Sequence, residues 1–473
     1  MRRTVVIIGS GAAGLFCADG LVTRGDVDVI LLEAGADAGT PPPDWLRRDL
    51  ATPDDADWGL VDADTGRPLL RGRITGGCTS TNSAAALRGQ PWCFDEWDID
   101  GWRWDDVAPA FAALETDLQF GDRPGHGSTG PIPITRLSFG PVDTAFAQWA
   151  GERGHEWVED QNAPGMLGVG HWPTNTRPGA VRYGVHEALL PRLRPHLRAN
   201  TTAKRLLFDG TRCVGVETDT GTISADHVIV CAGSVESPAL LLRSGIGPAA
   251  DLAEAGIPLV HDAPEVGANL QDHPWTVLQI RATDPAAPAL RPVNGVLLRY
   301  EILGDDRVEV HLYPHQAQPY LPDADAADVF LGLGLMRAIS RGSVRLAPDG
   351  TTEVHLNHLG DPQDAKAFDL LLDDAQAALD ALGDVLVPPD NPWWQDRNQL
   401  PDHLESYGHL VGTCRMGTDP GAVVDPTLTV AGVTGVSIAD ASIMPASPRA
   451  NTMLTSMMIG LRGAALVADH LSE

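Results

Sequence analysis

The chain has 473 residues, enough for about two domains with full cores, and its 34 basic against 63 acidic side chains leave a formal net charge of −29. That balance argues against a nucleic-acid partner and against attraction to an anionic membrane; its plainest role is solubility. The six cysteines (Cys17, Cys78, Cys93, Cys213, Cys231 and Cys414) form no CxxC pair, so no zinc site, other metal centre or disulfide framework is expected, and a reduced, cytoplasmic setting fits.

Thr4 to Ile8 is a short β-branched run of the kind buried on both faces of a sheet. It feeds Gly9-Ser-Gly11-Ala12-Ala13-Gly14, after which Leu15, Ala18, Leu21 and Val22 recur at helical spacing. Strand, glycine turn and helix in that order form a dinucleotide cradle. Gly9 permits the turn, Gly11 lets backbone approach a pyrophosphate, and Gly14 lets helix and strand pack closely. A second apolar strand, Val27 to Leu32, ends at Glu33, where an acid can hold a ribose hydroxyl pair. The Arg-led apolar start also resembles an export signal, but cleavage there would remove the strand and the glycine loop. No run of about 18 apolar residues follows, so no membrane-spanning segment is expected.

Residues 35 to 70 read as a long surface excursion. Arg71 to Gly89 carries the paired Gly76-Gly77, then small residues through Thr79, Asn82 and Ala84, a texture suited to backbone lying against a flat ligand. A packed helix start capped by Thr79 or Ser80 is the alternative. Trp92 to Glu115 is rich in tryptophan, which more often packs a core than touches a substrate. Residues 200 to 232 alternate like strands, and Gly233 to Leu242 starts a helix with Pro238 in its first turn. Val266 to His273 is a polar turn. From 274 to about 400 alternating segments precede an amphipathic helix near Ala365 to Leu382, which suggests an antiparallel sheet with helical cover and hence a second domain. Tyr407 to Gly417 is glycine-punctuated around His409. Val436 to Asp440 is a short strand, and Asn451 opens the terminal helix.

Six of these blocks, in this order, resemble the glucose–methanol–choline (GMC) flavin oxidoreductases over nearly the whole chain. They are GSGAAG with Glu33, RGRITGG with Asn82, the tryptophan-rich stretch, GSVESPALLLRSGIGP, VGANLQDH, and HLVGTCRMG with the terminal DASIMP and NTM segments. The resemblance implies an α/β fold: a discontinuous Rossmann-type FAD-binding domain (1–135, 200–273 and 405–473) with a second, α+β substrate domain built on an antiparallel sheet (136–199 and 274–404).

It further implies FAD as cofactor. Gly9, Gly11 and Gly14 would face the pyrophosphate, Glu33 the adenosine ribose and Ala203 the adenine. Gly76, Gly77 and Asn82 would lie along the flavin, and Asp440 and Ala441 would touch the ribityl–phosphate region. Ala12, Ala13, Ala34, Arg71, Thr79, Ala84, Asn451 and Thr452 complete the implied contacts. Thr81 stands where members that bond FAD through histidine carry that residue, so the FAD is expected to be non-covalent.

The implied chemistry moves a hydride from a carbinol carbon to flavin N5 while His409 takes the hydroxyl proton and Asn451 donates its amide N–H to the substrate oxygen. A free imidazole is a poor match for an alcohol proton, so positioning must supply the difference. Asn451 is equally readable as the N-cap of the terminal helix. The chain is short for the family, which suggests a trimmed substrate domain and a more open or partner-covered site, as in members associated with the peptide-derived redox cofactor mycofactocin. A dehydrogenase is therefore expected, acting on a small-molecule or peptide-derived alcohol and passing electrons to an acceptor protein or quinone-like carrier. It would be cytoplasmic, with peripheral membrane contact as a variant. An O2-using alcohol oxidase and a non-redox, hydroxynitrile-lyase-like enzyme are the alternatives.

Overall fold

Val5, Val6, Ile7 and Ile8 are buried because their strand, Arg3–Ile8 (β1), lies in the middle of a parallel sheet. Val27–Leu32 (β2), Leu197–Arg198 (β3), His227–Val230 (β4) and Val436–Ile438 (β5) complete it in the order β3-β2-β1-β4-β5. The strands come from the start, middle and end of the chain. The computed structural model describes residues 2–48, 52–177, 181–284, 295–303, 308–316 and 327–472.

Four helices matter for what the sheet carries. Ala12–Arg24 (α1) leaves the glycine loop and ends at Gly25, whose left-handed φ of 74° lets its N–H reach the Leu21 carbonyl. Val185–Leu193 (α2) packs on α1, Gly233–Arg243 (α3) follows β4, and Thr452–Ser472 (α4) lies along α1. The crossing of α1 and α4 is close: a Cβ on Gly460 would come 2.1 Å from the Ala13 carbonyl oxygen. Pro238 lies inside α3 rather than in its first turn. Proline has no N–H for the Ser234 carbonyl one turn back, and the Thr413 hydroxyl donates to that carbonyl instead at 2.7 Å.

The second sheet is antiparallel except at one edge. Pro274–Ala282, Asp328–Leu335, Val308–Gln316 and Val296–Ile302 follow one another across it. Gly168–His171 and the parallel Trp157–Val158 extend it beyond Val296–Ile302. The helix Pro362–Ala381, capped by the Asp361 carboxylate on the Gln363 N–H, buries Phe368, Leu371 and Leu372 against it.

Three expectations are corrected. Strand Asp328–Leu335 was not anticipated, because VFLGLGL is buried almost throughout and shows no alternation. The tail of the 136–199 segment goes with the first sheet, since α2 packs on α1 and β3 pairs with β2, whereas Glu405–Ser406 pairs with Pro274–Trp275 in the second. The 35–70 stretch is more than surface: Leu60 and Leu69 pair, and Leu69 is buried in a small core with Val235, Val344 and Val354.

A buried charged cluster ties the first sheet's loops to the second sheet's flank. His126 contacts Glu115 (2.9 Å), Asp117 (3.3 Å) and Asp160 (2.7 Å), while Arg88 holds Glu115 and Arg136 holds Asp117 and Asp160. Burial works against a charged ring, but hydrogen bonds to Asp117, Asp160 and Glu115 prevail and push His126 up to about 10. Three carboxylates thus face three cations. Among the described residues no helix is long and apolar enough to cross a membrane, and none of the six cysteines is paired.

Candidate active site

The N-termini of α1, α3 and α4 converge on one cavity of about 490 Å³, which Gly11, Ala12 and Ala13, then Gly233 and Ser234, then Thr452 and Met453 line. Helix N-termini therefore aim positive partial charge into it from more than one side, an arrangement that favours an anionic group such as a pyrophosphate. The cradle suits close backbone approach. Gly9 has φ 99°, and a Cβ there would come 2.4 Å from the Cys231 carbonyl oxygen. At Gly11 a Cβ would meet no protein atom within 4 Å and would fill the cavity itself. The residues present thus fit a dinucleotide.

The structure brings most of the sequence-derived residues to this one cavity: Gly9, Gly11, Ala12, Ala13, Glu33, Ala34, Arg71, Gly77, Thr79, Asn82, Ala203, Asp440, Ala441, Asn451 and Thr452, with His409. Thr81 and Cys78 join them.

Gly14, Gly76 and Ala84 do not line it. Gly14 is a packing residue, for a Cβ there would lie 1.9 Å from the Gly9 carbonyl oxygen. Gly76 (φ 91°) turns towards Ser80 and His186 behind the loop. Ala84 (φ 60°) takes up a turn in which its N–H donates to the Asn82 side chain at 3.0 Å. Glu33 accepts from Ser10 N (3.1 Å), Ser10 Oγ (2.6 Å) and Gly35 N (2.8 Å), so it also fixes the glycine loop. Asp440 accepts from Gly233 N, Ser237 Oγ, Ser442 N and Ser442 Oγ, which uses its four lone-pair positions on protein. Only its main chain is left for a ligand.

At the other end of the cavity His409 Nε2 accepts from Asn451 Nδ2 at 3.2 Å. An acceptor at Nε2 places the ring hydrogen on Nδ1, which donates to His273 Nδ1 at 2.8 Å, and His273 Nε2 in turn donates to Ser447 Oγ at 2.6 Å. The three bonds run in one direction and fix both tautomers. Burial, and then the neighbouring His273, push His409 well below the usual histidine value; burial takes His273 down to about 4. The His409 N–H donates to Asp272 Oδ1 at 3.0 Å. Burial alone would raise Asp272, but His358 brings it to about 2, so this anchor is ionised.

The Asn451 Oδ1 atom is buried and has no partner among the described residues, so this side chain is turned to His409 and does not cap α4. The N-cap reading is corrected accordingly. Tyr407 stacks on the His409 ring (4.5 Å, 18°), Trp275 and Tyr313 contact Tyr407, and Trp172 packs on Tyr313, giving an aromatic wall beside the imidazole.

Sequence reasoning missed His273, Ser447 and the aromatic wall. His273 closes the VGANLQDH turn and pairs with a residue 136 positions later, so no local spacing marks it. The tryptophans of the 92–115 stretch are core, as their composition suggested: Trp97 and Trp102 are buried and donate to the Ala446 and Pro426 carbonyls.

Two family profiles described as GMC oxidoreductase match residues 4–275 and 338–460. The chain is 32% identical to an oxygen-dependent choline dehydrogenase of Brucella suis, covering 100% of this chain and 96% of that protein. It is 33% identical to a 5-(hydroxymethyl)furfural oxidase of Methylovorus sp., covering 96% of each. Among solved structures, pyridoxine 4-oxidase from Mesorbium loti superposes with a TM-score of 0.86 at 28% identity, covering 99% of this chain and 100% of the other.

Proposed function

The chain belongs to the GMC oxidoreductase family, FAD enzymes acting on alcohols, and from that premise we propose that it oxidises a CH–OH group with His409 as base and Asn451 as the donor ordering the substrate oxygen. Bound FAD supplies the hydride acceptor. The observation that carries the reading is the His409–Asn451 pair at 3.2 Å, buried at one end of the glycine-lined cavity.

A neutral His409 offers its Nε2 lone pair to the hydroxyl proton, and the Nδ1–H bond to His273 keeps that lone pair on the cavity side. Asn451 Nδ2, which meets Nε2 in this structure, donates to the oxygen as charge grows on it; such a bond strengthens in the transition state and so raises the rate. The aromatic wall keeps water from the same atoms. The N-terminus of α4, at Thr452, stabilises negative charge developing at that end of the cavity.

FAD is held non-covalently in this reading, since Thr81 lines the cavity where a bonding histidine would stand. The acceptor is a carrier rather than O2. The alignment with the Brucella protein runs over 532 positions against the 473 residues here, so that relative carries insertions this chain lacks, and the shorter chain is the ground for reading the site as open to a carrier. The substrate is a small or peptide-derived alcohol, and the unpaired thiols suit a cytoplasmic enzyme.

The test is anaerobic mixing of the yellow holoprotein with a panel of alcohols, peptide-derived ones included. Bleaching by at least one alcohol, with slow recovery in air and fast recovery with a quinone-like dye, is expected. Catalytic recovery in air would replace the carrier by O2. Product formation without bleaching would favour a lyase and end the oxidation proposal.

A further inference from the structure

The turn that carries Gly77, Thr79, Thr81 and Asn82 into the cavity has one residue facing the other way. Its neighbours line the cavity, but Ser80 is fully buried and does not. Its hydroxyl donates to the Thr75 carbonyl at 2.9 Å, which leaves its lone pairs to accept, and His186 Nδ1 stands 2.8 Å away. The imidazole is therefore the Nδ1–H tautomer, with its hydrogen on Ser80.

Two glycines clear space for this ring. A Cβ on Gly76 would come 2.8 Å from Nδ1, and one on Gly184, the residue capping α2, would come 2.5 Å from Cε1. No ordinary side chain fits at either place. His186 Nε2 is buried and has no protein partner among the described residues, so Ser80 is the polar contact that fixes the ring's orientation. Arg182, just before α2, donates to the Ser80 carbonyl at 2.7 Å, and the turn is thus pinned from behind at both the side chain and the main chain of one residue. Burial, reinforced by the Arg182 charge, takes His186 down to about 4, so the ring is neutral and its single ring hydrogen is committed to Ser80 near neutral pH.

We propose that His186 is a positioning residue for the flavin, setting through Ser80 the turn whose opposite face lies along the isoalloxazine ring. The inference rests on the reading of the cavity as an FAD site. It locates part of the flavin's support in α2, an element outside the glycine motif, and it makes the bond between His186 and Ser80 a determinant of how the ring is held.

The experiment titrates FAD into apoprotein prepared from wild type and from the His186→Ala, His186→Asn and Ser80→Ala variants, following flavin fluorescence, visible circular dichroism and midpoint potential. Asn places an amide nitrogen close to where Nδ1 stands. His186→Ala and Ser80→Ala are expected to raise the FAD dissociation constant by about 10-fold, the scale of one buried hydrogen bond, and to change the visible dichroism and potential in the same sense. A variant combining His186→Ala with Ser80→Ala should be no worse than either single, and His186→Asn should restore most of the wild-type values.

If His186→Ala fails to fold, Ser80→Ala reports on the same bond. Lower thermal stability with unchanged FAD affinity, dichroism and potential in Ser80→Ala and His186→Asn would overturn the proposal and leave His186 a packing residue. Wild-type protein that takes up no FAD would overturn the cavity reading and this inference with it. Wild type that binds normally beside variants that also bind normally would remove this inference alone.

Discussion

An imidazole buried beside a second imidazole can serve as a base only if its tautomer is settled beforehand, and at His409 the bonds to His273 and Asn451 settle it. Its pKa is depressed, so the basic form persists through and below the usual histidine range, and protonation sets in only at distinctly acidic pH. The rate of anaerobic flavin reduction should accordingly stay level as pH falls through about 6.5 and decline only below it. A decline centred at or above that value would show that His409 is not held as described. His409 was legible because it stands in a glycine-punctuated motif of fixed order. Asn451 was legible in position but not in role, because an asparagine ahead of an apolar helix reads equally as a cap until the side chain is seen to turn away. His273 and His186 were not legible at all. Each acts through a partner more than 100 residues distant, and no local spacing marks either pairing.

At the scale of elements, the first strand, glycine loop and helix were readable because Gly9 and Gly14 answer steric demands of the turn and of the close packing between helix and strand. The long amphipathic helix was readable from its period, and Pro362–Ala381 lies within a few residues of where the period put it. Strand Asp328–Leu335 was not, since a strand in the middle of a sheet with both faces covered loses the alternation that marks a half-exposed one. The crossing of α1 and α4 gives a test at this scale. In Gly460→Ala the new methyl would meet the Ala13 main chain, which cannot yield as a flexible side chain would, and Ala13 lines the cavity. The variant should lose about 1–3 kcal/mol in denaturant unfolding and bind FAD more weakly. Unchanged unfolding would mean that the two helices part at little cost.

The whole molecule joins three chain segments in one parallel sheet and returns twice to build a second, so the cavity forms only when residues near 10, 80, 230, 409 and 451 are all in place. Charge cancellation in the cluster around His126 is part of what holds the two sheets' flanks together. The raised pKa fixes the sign: His126 stabilises the fold fully below about 6.5, and its contribution is lost as pH rises towards about 10. Unfolding midpoints of wild type should fall over that interval more than those of His126→Asn; parallel curves would show that the cluster is not a pH-linked tie. The domain boundaries were only partly legible, because β3 is two residues long and carries no pattern of its own. The central claim, that His409 removes the substrate proton over a bound flavin, is tested most directly by stopped-flow reduction of the His409→Ala holoprotein with the alcohol that best bleaches wild type. Reduction slowed by about 10²–10⁴ with FAD content unchanged is the expected result, and reduction at the wild-type rate would contradict the account.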